Sequence, residues 1–182
     1  MNFKVLRKQN NSEMCFVCGI HNDAGLNTSY YELEKERLIG VFKGHELHQS
    51  YPMRMHGGII AALLDETIGR AIQIHDEDIW GVTVDLNIRY QKPVPLDQTL
   101  YAVGYITNIK SRMFEGEGYI CDENKVILAT AKAKYFIKHV NEIVDNLDFV
   151  KEQWIYVEDQ EDSKHYPSIY QNEYIRRRRH SV

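Results

Sequence analysis

His56-Gly57-Gly58, with Asp65 eight positions beyond Gly57, is the stretch whose residue types could act on a carbonyl group. The first backbone N–H groups of a helix have no intrahelical partner. Glycine lets a ligand approach that backbone closely, and the helix dipole adds partial positive charge there. A helix opening at this point therefore offers donors for a polarised carbonyl or a developing oxyanion. A Gly-Gly pair alone is equally a tight loop-to-helix turn.

Asp65 adds the second chemical group. On a helix its same-face neighbours are Ala61, Ala62, Ile68 and Gly69, none of which can pair with a carboxylate. Glu66, by contrast, has Arg70 four residues on, in the favourable order for a surface ion pair. An unpaired carboxylate among small and apolar residues needs a task or a partner from another strand. At 1.5 Å rise per residue, Gly57 and Asp65 lie roughly 12 Å apart along the helix, too far to share one carbonyl. If both serve one substrate, Gly57 of one chain must face Asp65 of another across a two-fold axis.

The elements that position these groups are legible as patterns. Ile60, Leu64, Ile68 and Ile72, widened by Ile59 and Leu63, predict a largely buried helix from Gly58 to about Ile74. Before it, residues 26–42 read as a hairpin turning at Glu34-Lys35-Glu36-Arg37, followed by a loop from Lys43 to Met55. After it come four strands, Gly81 to Gln91, Thr99 to Ile109, Met113 to Cys121 and Val126 to Lys138. In the first of them Val82, Val84, Leu86, Ile88 and Tyr90 alternate with Thr83, Asp85, Asn87 and Arg89, predicting two distinct faces. The connections are too short for parallel crossovers, so the sheet is antiparallel. The fold class is α+β, one long helix covered by a single curled antiparallel sheet. Three parts are expected: an N-terminal segment, 1–25, a central domain, 26–138, and an extension, 139–182, with an amphipathic stretch from Val140 to Trp154 and a basic tail, Arg176 to Arg179.

The 182 residues, 43% of them hydrophobic, suffice for one sizeable core. A formal charge of -4, from 22 basic and 26 acidic residues, argues against wholesale nucleic-acid binding, and the terminal arginines read as a solvated tail. No segment has the length of a signal peptide or a membrane span, so a cytoplasmic protein without membrane partners is expected. Three cysteines, Cys15, Cys18 and Cys121, fit a reducing compartment. Cys15-x-x-Cys18 with His21 has metal-like spacing, but a closed zinc site needs four ligands and no second pair stands nearby. The expectation is a structural segment with buried thiols and no metal.

Three segments together resemble the hotdog-fold acyl-CoA thioesterases, in the branch of the phenylacetate-pathway enzymes and the mammalian thioesterase-superfamily members. They are His56-Gly57-Gly58 through Asp65-Glu66, Val82 to Tyr90 with Pro93 and Pro95, and Cys15-x-x-Cys18-Gly19 with Asn22, Gly25 and Leu26. The resemblance covers roughly residues 15–138. It implies a hotdog fold, an acyl-CoA substrate, no cofactor beyond the coenzyme A of that substrate, and a homodimer able to build tetramers. It implies too that Gly57 N–H polarises the thioester carbonyl, beside Gly58 in the same turn, and that Asp65 is the nucleophile or general base. Thr83 would lie beside Asp65, and His56 would shape the turn. Gln49 or Ser50 would correspond to a carbonyl-binding residue of some relatives, while Met53, Arg54 and Met55 are bulky enough to reshape the acyl pocket. Coenzyme A phosphates need cations at a rim, for which Arg89, Lys92, Lys110 and Arg112 are candidates. A hotdog-fold hydratase or dehydratase using His56 and Asp65, and a non-catalytic acyl-CoA-binding protein, are the alternatives.

Overall fold

A computed structural model describes residues 4–159. The basic tail lies outside the described residues. Chain order runs β1 (Val5–Lys8), β2 (Asn11–Ser12), β3 (Ser29–Leu33), β4 (Arg37–Lys43), α1 (Gly57–Arg70), β5 (Ile79–Tyr90), β6 (Thr99–Ile109), β7 (Met113–Cys121), β8 (Ile127–His139), α2 (Leu147–Gln153) and β9 (Trp154–Ile155). Seven strands form one sheet in the order β1-β3-β4-β6-β7-β8-β5, with every pairing antiparallel. This is the curled sheet around a central helix that the patterns predict.

The helix buries Ile60, Leu63, Leu64, Thr67 and Ile68, and a tighter 3-10 turn, Ala71–Ile74, carries its apolar stripe onward. Each fully buried aliphatic side chain contributes about 1.5–3 kcal/mol, so this stripe fastens the helix to the sheet. The approach is close where the sheet is smallest: a Cβ on Gly104 would stand 2.6 Å from the Thr67 carbonyl oxygen. Alternation puts a second buried cluster, including Leu33, Ile39 and Val103, on the opposite sheet face.

Strict alternation fails in β5, and the failure matters. Thr83 pairs with Tyr135 but Asp85 pairs with Lys134, so Val84 is an extra, bulged residue. Opposite Ala133 and Ala131 stand Leu86 and Ile88, which pack on the core around α1. The bulge thus places Thr83 on the same face as Leu86, Ile88 and Tyr90, where unbroken period-two reading puts it on the other.

The terminal parts are tied in rather than appended. β1 pairs with β3 in the main sheet, and β2 pairs with β9, joining residues before 26 to residues after 139. Of the amphipathic stretch from Val140 to Trp154, only Leu147–Gln153 is α-helical.

Candidate active site

Asp65 sits at mid-helix, half-buried, and its partners come from two strands. Thr83 Oγ1 lies 2.9 Å from Asp65 Oδ1 and 3.1 Å from Oδ2. The Tyr135 hydroxyl donates to Oδ1 at 3.1 Å and to the Asp65 backbone carbonyl at 2.9 Å. The carboxylate therefore does have cross-strand partners, but both are neutral hydroxyls that orient its charge without cancelling it. Burial pushes the Asp65 carboxyl above the usual carboxylate range, while the Thr83 and Tyr135 hydroxyls pull it back. Burial and the adjacent Asp65 charge push the Tyr135 phenol far upward, so it remains a donor. Tyr135 is absent from the residues singled out in the sequence. Its signal was present: it ends an inward row of Ala129, Ala131 and Ala133, where a large polar-tipped ring has to find a partner.

Asp65, Thr83 and Tyr135 line a cavity of about 550 Å3, shared with Cys15, Phe16, Cys18, Trp80, Val150 and Trp154 among others. That size lies within the ordinary range of small-molecule sites.

The glycine turn stands at the other end of the helix. His56 is the N-cap, and its Nδ1 accepts from Gly58 N–H at 2.9 Å. Ile59 and Ile60 N–H donate to the His56 carbonyl. Gly57 N–H takes no acceptor among the described residues and is left as an unpaired donor at the start of the helix. The Tyr90 hydroxyl donates to the Gly57 carbonyl at 2.9 Å, anchoring the turn to β5. Within one chain, then, the fold joins Asp65 to Thr83 and keeps His56, Gly57 and Gly58 apart from them.

Gln49 and Ser50 belong to the glycine end. Gln49 Oε1 accepts from Met53 N–H at 2.9 Å, closing a turn in which Met53 adopts φ 60°, and Ser50 N–H donates to the Arg54 carbonyl. Met55 is buried in the core, Met53 and Arg54 are exposed, and none of the three lines the cavity at Asp65. The loop is held by His48, whose Nε2–H donates to the Ala24 carbonyl while Nδ1 accepts from His45 N–H. The four candidate cations divide between the two ends. Arg89 and Lys92 stand near Tyr90, whereas Lys110 and Arg112 occupy the β6–β7 turn beside Met113 and Ile137.

One sequence expectation is corrected. The Glu66–Arg70 pair is not at the surface: the Arg70 side chain is 6% exposed, at 3.2 Å from Glu66. The N-terminal segment and β9 fold over it, with Gln9 and the Asn10 carbonyl taking its remaining donors and Trp154 stacked on its guanidinium. Cys15 donates to the second Glu66 oxygen at 3.0 Å. A hydrogen bond from the Cys18 thiol to the Cys15 sulfur holds the free Cys15 below an ordinary thiol, and that hydrogen bond together with burial drives Cys18 far upward.

A long helix wrapped by an antiparallel sheet, with an acid on the helix and a glycine turn at its start, is a hotdog fold. Residues 54–129, from just before the helix to the start of β8, match the family model of the Thioesterase superfamily. The chain is 30% identical over 109 residues to acyl-coenzyme A thioesterase THEM4 of Rattus norvegicus, covering 60% of this chain and 46% of that one. It is 31% identical over 71 residues to acyl-coenzyme A thioesterase 13 of Mus musculus, covering 39% of this chain and 51% of that one. The matched stretch thus spans about half the length of these relatives. Among solved structures, a Bacillus halodurans protein crystallised with CoA superposes with a TM-score of 0.54 at 26% identity, over 60% of this chain and 73% of its own. Among the described residues no helix is long and apolar enough to cross a membrane.

Proposed function

We propose that this chain hydrolyses an acyl-CoA thioester to the free acid and CoA, working as a homodimer with Asp65 as general base. The observation that carries the reading is the Asp65 carboxylate, oriented by Thr83 and Tyr135 at the wall of a cavity open to solvent. Oδ2 carries only the longer Thr83 contact and is the oxygen left to take a proton. It removes a proton from water as the water oxygen attacks the thioester carbonyl carbon. Negative charge then gathers on the carbonyl oxygen, and a Gly57 N–H at a helix start stabilises it. Collapse of the tetrahedral adduct breaks the C–S bond, and the CoA thiolate leaves and takes up the proton.

The 12 Å along α1 requires the two groups to come from different chains. β5 is an edge strand of twelve residues with Val82 and Val84 exposed, an edge of the kind that seeks a partner. Antiparallel pairing of two β5 strands, centred between Thr83 and Tyr90, sets the Tyr90–Gly57 contact of one chain opposite Asp65 of the other. It also carries Arg89 and Lys92 of one chain toward Lys110 and Arg112 of the other, gathering cations for the CoA phosphates. The names of the acyl-CoA thioesterase relatives and the CoA-containing neighbour support this substrate class. The test is an acyl-CoA panel read by free-thiol release. Asp65→Asn and Asp65→Ala should each lower turnover by well over about tenfold, and the assignment fails if neither does.

A further inference from the structure

We propose that Cys15, Cys18 and Glu66 form a binding site for a zinc-class divalent cation, with three protein ligands and a fourth position open to the cavity beside Asp65. In sequence the cysteine pair lacks enough ligands. The tertiary structure supplies a third from helix α1: the two sulfurs and a Glu66 carboxylate oxygen all lie within 4.8 Å of one another. Zinc accepts this donor set, at about 2.3 Å to sulfur and about 2.0–2.2 Å to carboxylate oxygen. Tetrahedral geometry at those lengths separates sulfur from oxygen by about 3.5 Å. Cys15 Sγ and Glu66 Oε2 stand at 3.0 Å, so an ion replacing the thiol proton widens the pair by about half an ångström. His21, the other candidate of the sequence, points elsewhere: it is exposed and paired with Glu13.

The surroundings are organised as a metal site requires. Each sulfur accepts a backbone donor, Val17 N–H to Cys15 and Ser12 N–H to Cys18, which stabilises thiolate charge. The turn is built tightly: Gly19 N–H donates to the Cys15 carbonyl, and a Cβ at Gly19 would lie 2.2 Å from that oxygen. The Glu66 carboxylate divides its oxygens, Oε1 to Arg70 and Oε2 to Cys15, so a buried cation already orients the ligand from behind, as ligating carboxylates require. Charge closes as well. Two thiolates and a carboxylate carry three negative charges, matched by two on the ion and one on Arg70. The thiols release their two protons to solvent on binding. Because Cys15, Cys18, Glu66 and Asp65 line one cavity, the fourth coordination position is open to water or ligand there.

The test is a titration of the full-length chain, kept reduced by a phosphine, with Zn2+ and with Co2+ as a spectroscopic stand-in. The expected result is about one ion per chain and, with Co2+, a near-ultraviolet thiolate-to-metal band with intense visible bands of tetrahedral geometry. Cys15→Ser and Cys18→Ser should abolish the thiolate band, and Cys121→Ser, which lies in the far cluster, should leave it intact. Glu66→Gln should weaken binding by about tenfold or more while keeping the band. Circular dichroism of each variant separates lost ligation from lost fold. Failure of the wild-type chain to bind, a cobalt spectrum without the thiolate band, or a band that survives in the folded Cys15→Ser and Cys18→Ser chains overturns the proposal.

Discussion

Thr83 Oγ1 stands 2.9 Å from Asp65 Oδ1 because Val84 is bulged out of the β5–β8 pairing. One hydroxyl from β5 and one from Tyr135 on β8 thus hold a helix carboxylate from the sheet side. Thr83→Val keeps the shape and removes the donor. We expect a loss of about 1–2 kcal/mol of transition-state stabilisation, about tenfold in kcat, and recovery in Thr83→Ser. Tyr135→Phe should act similarly, and steady-state kinetics on the best acyl-CoA of the panel check both.

At Gly57, proline is a cleaner probe of the proposed oxyanion donor than a bulky substitution. Proline is tolerated at the first helical position, and His56 already has the extended backbone that precedes proline comfortably, with ψ 138°. Gly57→Pro should therefore fold but lose turnover by about 100- to 1,000-fold. Mixing it with Asp65→Asn under conditions of subunit exchange should restore activity, because a mixed dimer regains one intact composite site. Absence of recovery in verified mixed dimers would contradict the two-chain site.

Arg70 is buried with Glu66, Gln9 and Asn10 around it. Removing it strands the Glu66 charge in the interior. Arg70→Ala should cost about 3–5 kcal/mol in urea unfolding, several times the value of a surface pair.

His48 should make stability pH-dependent. Burial lowers its pKa from the ordinary 6.5, and its Nδ1 is occupied as an acceptor of His45 N–H, so a proton there breaks the bond. A group depressed on folding contributes stability that is complete above its unfolded value and is lost as pH falls through its folded one. Stability should thus decline below about pH 6.5, and His48→Gln should flatten that part of a melting-temperature profile.

Gly104 sets the distance between helix and sheet. Gly104→Ala places a methyl against the Thr67 carbonyl, and we expect about 1–3 kcal/mol of destabilisation by chemical denaturation, with α1 displaced relative to Thr83 and Tyr135.

Apolar spacing in residues 58–74 and alternation along four later strands determined the helix, the antiparallel sheet and their layering, because burial on one face writes a period into the chain. The residues His56 to Gly58 and Asp65 were legible for a related reason: a glycine turn and a lone acid break those periods. Other features had no local signature. The Val84 bulge places Thr83 beside Asp65, and a bulge is decided by pairing with β8, not by β5 alone. Tyr135 joins the carboxylate from 70 residues away. Glu66 and Arg70 have a surface pair's spacing, yet residues from both ends of the described chain bury them and bring Cys15 and Cys18 against Glu66. Sequence spacing determines which residues share an element's face. What covers that face depends on contacts between distant segments, and only the tertiary structure decided it.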